Sequence, residues 1–156
     1  MKRIVSVSLG SSERNHKALI EILGEEVEIE RIGTDGDLNK ALSLLNELDG
    51  QVDAFGIGGI DLYIHVGNKR YMLRDGKKMA AAVKLSPIVD GSGLKNTLER
   101  KVIRYLSASG EVSFEGQKVL LVCAVDRFGM AEELTDLKAN LTMGDLIFGM
   151  GIPVPI

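Results

Sequence analysis

The chain has 156 residues, 45% of them hydrophobic and 26% charged, and its formal net charge is −3. A chain of this length can bury a sizeable core, so we expect a single domain over residues 1–156. Lys and Arg are scattered, which argues against a nucleic-acid-binding face. No segment approaches the about 18 uncharged apolar residues of a membrane helix. We therefore expect neither nucleic acid nor membrane as a partner, and the cytoplasm is the expected location.

Residue patterns of common metal and nucleophile sites are sparse. Cys123 is the only cysteine, so the sequence offers neither a disulfide framework nor a C-x-x-C zinc site. His16 and His65 lie far apart in sequence, and no G-x-S-x-G motif marks a hydrolase nucleophile. The sequence therefore predicts no metal site and leaves the catalytic residues unknown.

The first third of the chain predicts a strand, a hairpin and a helix. Residues 3–9 are apolar and β-branched, as in a buried strand, and residues 17–32 alternate around "GEE", as in a hairpin. A helix over 16–23 is the alternative. Residues 33–50 repeat apolar side chains every three or four positions, which predicts a helix. We expect Thr34 to open it with Asp37 as a capping box.

The middle of the chain predicts further strands and helices in alternation. Residues 52–60 predict a strand that ends in glycines, and residues 62–73 predict a second hairpin around "GN". A modest helix over 74–84 and a short strand over 86–91 follow.

The last third begins with the clearest helix, over residues 93–108. Its apolar residues lie four apart at Leu94, Leu98, Val102 and Leu106. Residues 118–126 form the strongest strand and are apolar on both faces, which suits the centre of a parallel sheet. A helix over 128–138 follows. Strands that alternate with helices predict an α/β fold, and we expect a Rossmann-like α/β/α layering, a largely parallel sheet and β-hairpin insertions.

The ends of four predicted strands share one character. "SLGSS", "GIGGID", "VDGSG" and "AVDRFG" each combine glycine or serine with, in three cases, an acid. Ligands of open α/β sheets bind outside the carboxyl ends of the strands, so these loops predict one binding edge for a small molecule. The candidate ligand-binding residues are Gly10, Ser11, Gly58, Gly59, Asp61, Asp90, Gly91, Ser92, Gly93, Lys95 and Asp126.

Two of these loops allow a closer interpretation. "AFGIGGIDLY" (54–63) begins like a G-x-G-x-x-G dinucleotide fingerprint, but Asp61 stands where the third glycine belongs and no helical pattern follows. A tight turn between a strand and a hairpin is the favoured interpretation, with Asp61 as a candidate hydroxyl ligand. "VDGSGLKN" (89–96) runs from strand to helix, and the free amides at the start of the helix, beside Lys95, suit an anion. The equal alternative is that Ser92 only caps the helix and Lys95 is solvated.

The uncharged segment "LIFGMGIPVPI" (146–156) predicts a contact surface. An apolar segment left in water forms a patch of the kind that marks interfaces. We expect it to pack on its own domain or on a second copy, and a homodimer is the expected assembly. Pro153 and Pro155 predict an extended segment that leads onward.

Five stretches resemble a bacterial family labelled quinate 5-dehydrogenase: "RIVSVSLGSS", "IERIGTDGDL", "VDAFGIGGIDLY", "VDGSGLKNTLER" and "GDLIFGMGIPVPI". The resemblance spans nearly the whole chain and the N-terminal half of longer members. It implies an oxidoreductase-like domain, NAD(P) as cofactor, and a small hydroxylated or phosphorylated ligand. The N-V-T-x-P-x-K-like segment with the catalytic lysine is missing, so no catalytic residue is carried over. A non-catalytic ligand-sensing or dimerisation domain is the alternative function.

Overall fold

The computed structural model describes residues 1–149 and 151–152. The strands of this part are β1 Lys2–Ser8, β2 His16–Ile22, β3 Glu25–Gly33, β4 Ala54–Gly58, β5 Tyr63–Val66, β6 Lys69–Met72, β7 Ile88–Val89, β8 Lys118–Leu121 and β9 Asn140–Met143. Its α-helices are α1 Leu38–Leu48, α2 Arg74–Ala82, α3 Ser92–Ala108 and α4 Phe128–Asp136. The extended segment expected at Pro153 and Pro155 lies outside the described residues.

The chain divides into two compact units. Unit 1 comprises Met1–Tyr63 and Met72–Gly91, and unit 2 comprises Ile64–Tyr71 and Ser92–Ile156. Within the described ranges, no helix is both long enough and apolar enough to cross a bilayer. In the same ranges, no group of three or more His, Cys, Asp or Glu side chains is placed to hold a metal ion.

Unit 1 is built on a five-stranded mixed sheet in the order β2-β3-β1-β4-β7. β1 runs parallel to β3 and to β4, and β4 runs parallel to β7. Only β2 is antiparallel, because a two-residue turn joins it to β3 as the expected hairpin. The expected α/β class and largely parallel sheet are therefore confirmed for this unit.

The core of unit 1 lies on one face of this sheet. Val5 and Val7 of β1 stand in register with Phe55 and Ile57 of β4, so all four side chains share that face. The helices α1 and α2 cover it with buried residues of their own, Ala41, Leu45 and Met79. The opposite face, which carries Ser6, Ser8, Gly56 and Gly58, receives neither helix.

The helix α1 begins later than the sequence predicts. Its N-cap is Asp37, whose carboxylate accepts the Lys40 amide at 3.0 Å. The predicted capping box opened by Thr34 is wrong, because Thr34 is buried and its hydroxyl donates to the Ser8 carbonyl at 3.3 Å. Asp35 and Gly36 then turn the chain at positive φ before the helix can start.

Unit 2 contains the β5–β6 hairpin, a parallel pair β8–β9 and the helices α3 and α4. The predicted central place of residues 118–126 in a large parallel sheet is wrong, because β8 ends at Leu121 and pairs with β9. The Asp145 carboxylate accepts the amides of Val125 and Ala124 at 2.8 and 3.0 Å. These hydrogen bonds lower the pKa of Asp145, and the bond from the Val125 amide is the largest cause. The two amides are therefore already bonded and do not pair with a neighbouring strand.

Candidate functional site

The carboxyl ends of β1 and β4 meet at one edge of the sheet in unit 1. Ser8 stands in register with Gly58, and the Leu9 amide donates to the Gly58 carbonyl at 2.9 Å. Gly10 and Ser11 follow β1, while Gly59 and Asp61 follow β4. The structure thus brings five of the predicted residues, Gly10, Ser11, Gly58, Gly59 and Asp61, to this edge.

Asp90 and Gly91 extend the same edge beyond β7, which lies beside β4. The Asp90 carboxylate accepts the Leu62 amide at 2.5 Å, so it fastens the loop after β4. A side chain at Gly91 would meet no atom within 4 Å, so nothing crowds this glycine.

The glycines of "AFGIGG" let two loops touch. A Cβ atom on Gly59 would lie 2.8 Å from the Gly10 backbone nitrogen, and Gly59 has a φ of 71°. A Cβ atom on Gly58 would lie 2.8 Å from the Ser8 hydroxyl oxygen. The stretch leads from β4 towards the hairpin strand β5, so its glycines serve close backbone packing.

The arginine of β3 lies on the sheet face that neither α1 nor α2 covers. Arg31 stands in register with Ser6 of β1, and its guanidinium reaches the end of that strand. Its Nη2 donates to the Ser8 hydroxyl and its Nη1 to the Ser11 carbonyl, both at 3.0 Å. A Cβ atom on Gly10 would lie 3.0 Å from Nη2. The half-buried guanidinium therefore sits directly against the loop after β1.

The acceptors of Arg31 are uncharged. An arginine carries five N–H groups, and two bonds to neutral oxygens account for the contacts it makes within the described part of the chain. In that part no carboxylate forms an ion pair with it. The hydrogen bond from the Ser12 amide is the main cause of the lowered pKa of Asp35, and the charge of Arg31 is a minor cause. The guanidinium is thus a partly buried cation whose charge is not matched by an ion pair.

A backbone turn holds the loop around this guanidinium in place. The Asp35 carboxylate accepts the Ser12 amide at 2.6 Å, and the Asn15 side chain accepts the Gly33 amide at 2.6 Å. Gly33 is buried under the loop, since a Cβ atom there would lie 2.4 Å from the Ser11 carbonyl oxygen. The position of Ser11 relative to Arg31 is therefore fixed by at least three contacts.

The remaining predicted residues belong to unit 2. Lys95 in α3 pairs with Asp126 through Nζ and Oδ1 at 2.6 Å, so its charge already faces a carboxylate. Ser92 is the first residue of α3 and is buried, while a Cβ atom on Gly93 would meet no atom within 4 Å. Asp126 follows β8, which is not a strand of the five-stranded sheet. It therefore lacks the strand-end position that Gly10 and Gly58 share.

Helices α3 and α4 are joined by charged side chains. Arg104 donates twice to Glu133, at 2.9 and 2.7 Å, and the Glu133 carboxylate raises the pKa of Arg104. Arg100 pairs with Glu132, and Arg127, which directly precedes α4, pairs with Glu99. These pairs lie within unit 2, so its arginines Arg100, Arg104 and Arg127 already have carboxylate partners.

The sequence prediction missed Arg31, although the pattern of β3 contains a signal. Period-two alternation places Val27, Ile29, Arg31 and Gly33 on one face of the strand. A charged residue that continues an apolar face indicates a site or a buried bond, whereas a glycine at a strand end indicates only a turn.

Two family models match successive parts of the chain. Residues 3–90 match a family described as domain of unknown function DUF8753, and residues 93–156 match one described as domain of unknown function DUF8754. The step from one model to the next lies beside the Gly91–Ser92 division of the structure. No curated protein matches the sequence. The first model matches more than half of the chain, so the chain belongs to the DUF8753 family.

Proposed function

We propose that unit 1 binds a small hydroxylated ligand with a phosphate or carboxylate group, which pairs with Arg31 at the carboxyl end of β1. The observation that carries the proposal is the half-buried guanidinium, which donates to two neutral oxygens and forms no ion pair among the described residues. An anion would supply the missing countercharge, and arginine binds both groups with paired hydrogen bonds. The half-buried Ser11 beside it suits a ligand hydroxyl.

The strand order supports the place of this site. The connection after β1 leads to β3 on one side of β1, and the connection after β4 leads to β7 on the other side, so the two connections diverge at the carboxyl ends of the paired strands β1 and β4. Ligands of open α/β sheets bind at such a switch point. A Rossmann-like α/β/α layering is the finer fold that goes with this proposal, and α1 and α2 supply one of its two helical layers.

The resemblance to proteins labelled quinate 5-dehydrogenase narrows the ligand class. Quinate is a carboxylate that carries several hydroxyl groups, which is the chemistry that Arg31 and the neighbouring Ser11 suit. Oxidation of such a ligand by NAD(P), in the cytoplasm, is the activity that goes with the resemblance. Binding is the part of the proposal that the Arg31 geometry supports by itself.

Binding is tested by calorimetry with quinate, shikimate and inorganic phosphate on the wild type and two variants. Arg31→Leu removes the cation, and we expect it to weaken binding about tenfold or more, as loss of a charge-assisted pair does. Arg31→Lys keeps the charge and should retain part of the affinity. Arg74→Leu removes an exposed arginine of α2 and serves as the matched control.

Two results would contradict the proposal. One is the absence of binding by all three compounds, and the other is equal weakening by Arg31→Leu and Arg74→Leu. Reduction of NAD(P)⁺ with quinate, followed by absorbance, separately tests the oxidoreductase activity. Binding without turnover would favour the ligand-sensing alternative.

A further inference from the structure

The strand β2 presents an unpaired edge. It is the outermost strand of the sheet in unit 1, and within the described residues no strand pairs with its outer side. Six of its seven residues are exposed. Leu19 on one face and Ile20 and Ile22 on the other expose 61%, 39% and 45% of their surface. An edge strand with exposed apolar side chains on both faces is a template for another strand.

The sequence of β2 complements itself. If a second copy pairs antiparallel with it about a two-fold axis at Leu19, Lys17 stands opposite Glu21 of that copy. The symmetry gives this pair twice, and Leu19 then meets its own equivalent. One other antiparallel register puts His16 opposite Glu21, but only the register centred on Leu19 puts the lysine opposite the glutamate, so the Lys17–Glu21 pair favours that register.

Within the chain, the acid of this pair has an unfavourable neighbour. Glu21 stands directly opposite Glu26 in the β2–β3 hairpin, and like charges at such positions destabilise a sheet. Lys17 reaches Glu28 of the same face at 2.9 Å. A lysine from a second copy would provide the positive charge that Glu21 lacks in the hairpin.

We propose that β2 is a homodimer interface, where two copies join their five-stranded sheets edge to edge about a two-fold axis at Leu19. The occupant of the edge is a second copy of this chain, because the charge pattern is complementary to itself. Both copies keep α1 and α2 on one side of the joined sheet, since a two-fold axis perpendicular to a sheet preserves its faces. The interface is distinct from the Arg31 site.

The test measures dimer dissociation by analytical ultracentrifugation across the micromolar range. Glu21→Lys opposes two lysines at both symmetric positions, so we expect the dissociation constant to rise about tenfold or more. The same variant replaces the Glu21–Glu26 repulsion with attraction, so the protomer should not lose stability. Weaker association therefore cannot be ascribed to misfolding, which thermal melting checks.

A mixing experiment tests the register itself. Lys17→Glu alone should also dissociate the dimer, while an equimolar mixture with Glu21→Lys restores opposite charges at both positions and should recover a heterodimer. Lys77→Glu and Glu47→Lys, exposed reversals on α2 and α1, are matched controls that should dimerise like the wild type. A wild-type monomer throughout the range, or a Glu21→Lys dimer as tight as the wild type, would overturn the proposal.

Discussion

The longest helices of the two units bury opposite kinds of face. In unit 1, α1 turns its leucines to the sheet and buries Ala41 and Leu45 completely. In unit 2, α3 turns Arg100 and Arg104 towards α4 and leaves an apolar stripe outside. The stripe consists of Leu94, Leu98, Val102 and Tyr105, which expose between 46% and 64% of their surface.

The difference shows what an amphipathic pattern specifies. Apolar spacing of three and four predicts that a stretch is helical and has two unlike faces. It does not specify which face packs inside the same unit, since ion pairs can hold the polar face instead. An exposed stripe of this size marks a surface that usually meets another surface.

The two units should therefore respond differently to matched substitutions. Unit 1 depends on apolar burial, which the screening of charges by salt does not weaken. Unit 2 has a small apolar core of Leu121, Ala124 and Ala131 together with charged pairs. Exposed ion pairs weaken as ionic strength rises. Removing the partner of a buried carboxylate lowers the free energy of unfolding, because the charge is left uncompensated.

The largest effect is expected from Leu45→Ala in α1. The side chain is fully buried in the same core cluster as Val5 and Phe55, so its truncation leaves a cavity and costs about 3 kcal/mol of unfolding free energy. Urea denaturation followed by circular dichroism measures the loss. A cost below about 1 kcal/mol would mean that this face of the sheet is not the packed core of unit 1.

An intermediate effect is expected from Arg104→Met in α3. The substitution keeps most of the aliphatic length but leaves Glu133, whose side chain is 4% exposed, without its cation. We expect faster amide hydrogen exchange in α3 and α4 and no change in α1. Lys138→Met is the matched control, because Lys138 pairs with Glu115 across exposed side chains and should change little. Equal effects of the two variants would remove the distinction between them.

The smallest effect is expected from Leu98→Ala in α3. The chemistry matches Leu45→Ala, but Leu98 is 52% exposed, so the free energy of unfolding should change by no more than about 0.5 kcal/mol. The same urea titration measures it. A loss as large as that of Leu45→Ala would show that the stripe is covered when the protein is in solution.

Local patterns in the sequence were sufficient for most elements. The hairpin of β2 and β3, the strand β4 and the helices α2, α3 and α4 form close to where apolar periodicity and turn residues predict them. The N-cap of α1 is Asp37 and not the predicted Thr34, because the Thr34 hydroxyl donates to the Ser8 carbonyl at the end of β1. A single sequence does not show that long-range bond.

Of the candidate site, the sequence determined that glycine- and serine-rich loops follow strands, because these residues have local conformational reasons to lie there. Only the tertiary structure decided which strands are neighbours. Pairing of β1 with β3 brings Arg31 to Ser8, 23 residues away, while β8 pairs with β9, so Asp126 follows a strand of another sheet. Strand partners depend on contacts between distant segments, and backbone N–H and C=O groups are the same in nearly every residue, so local residue patterns do not encode that choice.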